Sequence, residues 1–299
     1  VIFFHFEVPG FSGGFLGVDI FFVISGYLIT LHINEGLTRG DFKFANFYLR
    51  RIRRLFPAIF ITLVLTSVAA LLILPKSLLT DFSQSQLAAS TYISNIYFWS
   101  VADYFDTESI VKPLLHTWSL SVEEQFYMVW PLLIFLIFGQ NQLRFIMAFI
   151  VISLVAAELT FSHSPSTVFY YFPFRIFEFA IGAMVGQLPP RQLKKLATNG
   201  LLLVAGFCVL GSIYLTTEES RNPGLLSLPL CMGVAAIIGL CHPWMNTDNY
   251  LTKVLVRVGL VSYSAYLIHW PLLVFYKIYK PGPLSIEVTA ALIAVTFLL

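Results

Sequence analysis

Apolar residues gather along the whole chain into stretches separated by short polar breaks, many of them about 20 residues long, the length a helix needs to cross a bilayer. The stretches lie at 1–8, 15–34, 55–75, 114–138, 143–160, 169–187, 198–215, 225–242, 255–277 and 285–299. They predict an all-α fold, a polytopic transmembrane helix bundle of about ten spans. One segment departs from the pattern. Residues 84–100 mix Ser, Thr, Asn and Gln with aromatic side chains, which predicts a re-entrant or interfacial segment. The chain opens and closes inside apolar runs, so the expectation is a single membrane domain over 1–299, truncated in its first and last helices.

Composition excludes the commoner alternatives. Apolar residues make up 58% and charged residues 11%, against about half and a quarter in soluble domains, and mean hydropathy is +0.80. An ordinary cytosolic protein does not look like this. Eighteen Lys plus Arg against 16 Asp plus Glu leave a net charge of +2, too small for a nucleic-acid footprint. Cys208, Cys231 and Cys241 sit in apolar runs without CxxC spacing, giving neither a disulfide framework nor a zinc site. They read as small buried apolar side chains.

The few charges set an orientation. Arg39, Lys43, Arg50, Arg51, Arg53 and Arg54 crowd one break, and Arg191, Lys194 and Lys195 another, so both breaks are expected on the cytoplasmic side. Four spans between them satisfy that rule and five do not, which argues against a span at 84–100. Both ends of the chain are then expected inside. The acidic breaks at 103–108 and at Glu218 and Glu219 face outward.

Ionisable groups inside spans cost about 2.5–3.5 kcal/mol each at a helix centre, so each needs a partner or a role. They are His5, Asp19, His116, Glu123, Glu124, Glu158, Arg175, Glu178 and His269. His116, Ser119 and Glu123 share one helix face (i, i+3, i+7), and Ser262, Tyr266 and His269 share another (i, i+4, i+7), which predicts a polar cavity between helices in the outer half of the bundle. Arg175 and Glu178, at i and i+3, predict an intrahelical ion pair. The cluster Arg50, Arg51, Arg53, Arg54 is either a positive-inside anchor or an anion site suited to phosphate. No Walker loop, GxGxxG turn or HExxH spacing occurs, so nucleotide hydrolysis, dinucleotide binding and a metal centre are not expected.

Six segments carry a resemblance: FFHF (3–6), GGFLGVDIFFVISGYLIT (13–30), FYLRRIRRLFPA (47–58), LLHTWSLSVEEQFYMVWPLL (114–133), FRIFEFAIGAM (174–184) and VGLVSYSAYLIHWPLLVF (258–275). In content and order they resemble the acyltransferase-3 family of bacterial integral membrane acyltransferases, which includes polysaccharide and O-antigen O-acetylases. The resemblance implies a ten-helix bundle in the bacterial inner membrane that moves an acyl group, usually acetyl from cytoplasmic acetyl-CoA, to a hydroxyl of a cell-surface or lipid-linked carbohydrate such as lipopolysaccharide. It further implies that His5 is the first-helix catalytic histidine, that Arg51 and Arg54 form the RxxR motif, and that Glu123 is a characteristic acidic position. Two family features do not appear in the sequence: a basic residue well before the first-helix histidine, and an aromatic-x-x-Glu-x-Pro ending.

Acyl transfer from a thioester to an alcohol needs a base for the hydroxyl proton and stabilisation of an oxyanion. His5 is the expected base, since an imidazole titrates near about 6.5, with Asp19 or Glu123 orienting its ring; an acyl-histidine intermediate is the other route. Arg50, Arg51, Arg53 and Arg54 are expected to hold the CoA phosphates, and His116, Ser119, Tyr266 and His269 to contact substrate. Trp99, Tyr104 and Phe105 are expected mainly as interfacial anchors. Membrane lipid and a carbohydrate acceptor are the expected partners. The rival function is a transporter or flippase of a glycan or lipid-linked intermediate, disfavoured because no internal repeat is visible.

Overall fold

The computed structural model describes residues 1–102, 111–139, 141–187, 195–217, 219–241 and 250–298. Among them every regular element is helical: α1 (Ile2–His5), α2 (Gly17–Arg39), α3 (Phe44–Ile73), α4 (Lys76–Ser90), α5 (Ser94–Ala102), α6 (Thr117–Ile137), α7 (Gln142–Phe161), α8 (Pro165–Tyr170), α9 (Phe172–Val185), α10 (Lys195–Leu215), α11 (Leu228–Cys241), α12 (Tyr250–Tyr279) and α13 (Ile286–Leu298). Five of the helical segments (Gly14–Arg39, Phe44–Ile73, Thr117–Ile137, Gln142–Phe161 and Thr252–Tyr279) are long and apolar enough to cross a membrane. The apolar helices after residue 198, α12 excepted, are shorter, at 10–17 residues.

Several faces are inverted relative to a soluble helix. On α3 the buried side includes Thr62 and Thr66, while Leu65, Val68, Leu71 and Leu72 point outward, Leu72 at 81% exposure. Such a helix is stable only where its surroundings are apolar.

The chain divides into two compact units: Val1–Pro9, Ala45–Val122 and Thr247–Leu299 form one, and Gly10–Phe44 and Glu123–Asn246 the other. In the second unit α2 lies against α9, α7 also packs on α9, and α11 touches α2, α9 and α10. Two glycines set the α2–α9 approach. A Cβ on Gly26 would come within 1.9 Å of the Phe179 carbonyl oxygen, and one on Gly182 within 1.9 Å of the Val23 carbonyl oxygen. Lipid tails are as apolar as Leu, so helices in a bilayer gain by this close backbone contact rather than by burying apolar surface. Beside the crossing, Phe179 stacks on Phe22 and Phe126 at 4.4 and 4.2 Å between centroids. The Trp130 indole N–H donates to Thr30 Oγ1 at 2.7 Å, tying α6 to α2. Trp130→Phe should keep the ring but lose that bond, lowering the unfolding free energy by about 1 kcal/mol, measurable by denaturation in detergent.

The stretch expected as one span at 169–187 is broken. Tyr171 is extended (φ −89°, ψ 130°) between α8 and α9. Pro173 explains the break, because it has no N–H for the Phe169 carbonyl four residues back. Arg175 Nε donates to that carbonyl instead, at 3.1 Å. Ser153 of α7 inserts at the same place: the Phe177 N–H donates to its hydroxyl oxygen (3.2 Å) and the hydroxyl donates to the Pro173 carbonyl (2.6 Å).

In the first unit the segment at 84–100 is also interrupted. Helix α4 has 15 residues and α5 has nine, and Tyr92 between them is left-handed (φ 55°), so neither helix alone reaches span length. Phe6, Trp270, Leu273 and Val274 pack together where α1 meets α12. Residues 103–108, Tyr104 and Phe105 among them, Arg191, Lys194 and Glu218 lie outside the described residues. Trp99 is half-buried. Cys231 is fully buried among apolar residues and Cys208 is half-buried, both as free thiols.

Candidate functional site

Three imidazoles meet in the first unit. His5, the last residue of α1, places Nδ1 2.9 Å from Nε2 of His269 on α12, and the two ring planes are within 5° of parallel. His269 Nδ1 sits 2.6 Å from the Tyr266 carbonyl one turn back. His116, just before α6, stands edge-on to His269 at 5.7 Å between centroids. It is buried, and no hydrogen-bond partner reaches either of its ring nitrogens. Trp270 meets His5 edge to face at 4.6 Å, and its indole N–H donates to the Lys112 carbonyl at 2.9 Å.

Ser119 and Tyr266 close one side of this group. Their hydroxyls are 2.7 Å apart, and each lies 3.1 Å from the His116 carbonyl. The two helix faces predicted from spacing thus come together through His116, Ser119, Tyr266 and His269. Ser262, expected on the same face, is exposed and donates to the Gly259 carbonyl of its own helix. The backbone is irregular here as well. Pro271 lies inside α12, so the Leu267 carbonyl has no helical donor two residues before His269.

The arginine cluster occupies the early turns of α3, with Arg50, Arg53 and Arg54 exposed. Arg51 is half-buried, its guanidinium 3.8 Å over the Phe47 ring. The Tyr263 hydroxyl donates to the Leu55 carbonyl at 3.4 Å, which registers α12 against this end of α3. His269 is six residues further along α12, an axial offset of about 9 Å. Three exposed guanidiniums within two turns, with half-buried Arg51 braced by an aromatic ring among them, suit the phosphates of an anionic carrier.

The two carboxylates expected beside His5 belong to the second unit. Glu123, buried on α6, accepts from Ser25 at 2.6 Å and from the Tyr127 hydroxyl. Asp19, in the first turn of α2, accepts from Arg175 Nη1 at 2.9 Å. The same Nη1 donates to Glu178 at 3.0 Å, so the predicted intrahelical pair exists as part of a buried triad. Glu124 is half-buried, and Glu158 accepts from the Leu225 N–H at 2.6 Å. Trp270, Ser25 and Tyr127 were not anticipated, although each lies within a segment quoted for the family resemblance.

Exposed apolar helix faces around buried titratable groups define a multi-pass helical membrane protein with a chemically equipped interior. Comparison with known proteins gives its family. The family model described as an acyltransferase domain matches residues 1–299, and the chain belongs to the acyltransferase-3 family. Among curated relatives, O-acetyltransferase OatA of Staphylococcus aureus (strain NCTC 8325 / PS 47) is 31% identical over 93% of this chain and 49% of its own length. Peptidoglycan O-acetyltransferase OatA of Listeria monocytogenes serovar 1/2a is 32% identical over 91% of this chain and 47% of its own. The chain therefore spans about half the length of the curated relatives it matches. No solved structure matches it.

Proposed function

We propose that this domain takes an acetyl group from acetyl-CoA at the cytoplasmic face and delivers it to a hydroxyl of a cell-envelope carbohydrate. The names of the relatives draw the acceptor away from lipopolysaccharide and O-antigen and toward peptidoglycan. The observation that carries this reading is the imidazole group of partly buried His5 with buried His269 and His116, offset along α12 from the exposed arginines of α3. Guanidiniums would hold the CoA phosphates, and the flexible thioester arm would cross the offset to the imidazoles. His5 removes the proton of the acceptor hydroxyl as its oxygen attacks the thioester carbon; the C–S bond then breaks and the thiolate takes the proton back from His5. His116 stands edge-on to His269 and completes the imidazole group beside the proposed base.

The membrane frame proposed with this chemistry has about ten spans in a bacterial inner membrane, the short apolar helices included, with both ends of the domain cytoplasmic. That frame puts the arginines on the donor side. Arg54→Gln should raise the KM for acetyl-CoA about tenfold while leaving kcat nearly unchanged, because it removes a charge-assisted contact equal in ground and transition states. The decisive assay reconstitutes the full-length protein in liposomes with labelled acetyl-CoA inside and peptidoglycan fragments outside. Labelled ester on the fragments supports transfer. Fragments carried across the bilayer unmodified would instead make the protein a transporter.

A further inference from the structure

The imidazole group contains a chain of bonds whose donors and acceptors can be assigned by elimination. The Tyr266 carbonyl can only accept, so the 2.6 Å contact requires a proton on His269 Nδ1. His269 is fully buried, and it has no carboxylate partner among the described residues of its unit. A buried imidazole without a counter-charge is neutral, because an unpaired buried charge is too costly. Its second nitrogen, Nε2, therefore carries a lone pair. That lone pair faces His5 Nδ1 at 2.9 Å, so His5 Nδ1 must be the donor. Only Nε2 of His5 is then left as a base.

The geometry points to His269 as the residue that positions His5 and fixes its tautomer, with a backbone carbonyl and a neutral imidazole in the place a carboxylate usually holds. This assignment rests on His5 being the base proposed above, and it names the reactive atom, Nε2. When His5 accepts the hydroxyl proton there, the positive charge is shared toward the His269 lone pair. When the thiolate leaves, the same proton returns from His5 Nε2 to sulfur. Neither step changes the proton on His269 Nδ1. An acyl-histidine route would use the same nitrogen, since Nδ1 is already committed. Trp270 also packs on the His5 ring, 4.6 Å between centroids at 61°, with its own N–H tied to the Lys112 carbonyl. The arrangement needs His269 at this register on α12, where one helical turn separates it from the Tyr266 carbonyl.

Two measurements test the assignment. In His269→Leu the acceptor is lost; kcat should fall about 10- to 100-fold, as when the orienting partner of a functional histidine is removed, with the KM for acetyl-CoA unchanged. In His269→Gln an amide oxygen can accept from His5 Nδ1, and a large part of kcat should return. Wild-type kcat in His269→Leu, or a folded Gln variant no more active than Leu, overturns the proposal. The second measurement needs no variant to be active. In ¹⁵N-histidine-labelled protein in bilayers, with the His5 signals identified by their loss in His5→Ala, His5 should show a protonated Nδ1 and a bare Nε2. The opposite tautomer refutes the assignment. An active His5→Ala would remove the base from the mechanism while leaving this spectral test standing, so the two failures are separable.

Discussion

His5→Ala is expected to leave the protein in the membrane at normal abundance and to lower acetyl transfer about 10²- to 10⁴-fold. His5 ends a four-residue helix and is only partly buried, so folding depends on it little. General-base catalysis by a placed side chain contributes roughly 10²–10⁴ in rate, or about 3–5.5 kcal/mol of barrier. Among the described residues beside the ring, His116 is the other imidazole that could substitute in part. His269 Nδ1 already donates to a carbonyl, and the Ser119 and Tyr266 hydroxyls are engaged with each other and with the His116 carbonyl. Labelled acetate transferred per mole of purified protein, with the same preparation checked by size-exclusion chromatography, gives the answer. Transfer within twofold of wild type would remove His5 from the chemistry.

The second large effect is structural and has a sign opposite to intuition. In a helix interior, Gly→Ala normally stabilises by about 1 kcal/mol. Gly26→Ala and Gly182→Ala should instead destabilise, because the new methyl carbon would lie 1.9 Å from a carbonyl oxygen of the facing helix and only backbone movement can relieve it. Overpacking costs about 1–3 kcal/mol where side chains can adjust, and here they cannot, so a loss of about 3 kcal/mol or more is expected. Gly206→Ala on α10 is the control: nothing lies within 4 Å of its Cβ position, and it should be neutral or stabilising. Thermal unfolding in detergent should rank the control at or above wild type and both contact-site variants below it. Equal midpoints for Gly182→Ala and Gly206→Ala would mean that α2 and α9 are not held by this crossing.

What could be read from the sequence was local. The Arg175–Glu178 pair follows from a three-residue helical spacing and is present, but Asp19, its third member, lies 156 residues away and no periodicity connects them. The faces carrying His116 with Ser119, and Tyr266 with His269, were legible because helical geometry fixes which side chains share a side. Which face meets which is decided by packing, so the bond between His5 and His269 across 264 residues could not be foreseen. Hydropathy counts apolar residues and does not register where a helix breaks. That is why one stretch at 169–187 becomes α8 and α9, divided where Pro173 withholds its donor.

The buried triad also constrains how the protein is made. Helix α9 has only 14 residues and carries both Arg175 and Glu178, so as an isolated segment it would enter a bilayer poorly. Its missing partner, Asp19, is synthesised long before it. Until α9 emerges, the Asp19 carboxyl of α2 has no Arg175 to pair with, and in an apolar setting it is expected to stay protonated. The two glycines that let these helices touch thereby hold together segments whose ion-paired residues, Asp19 and Arg175, are 156 residues apart in the chain.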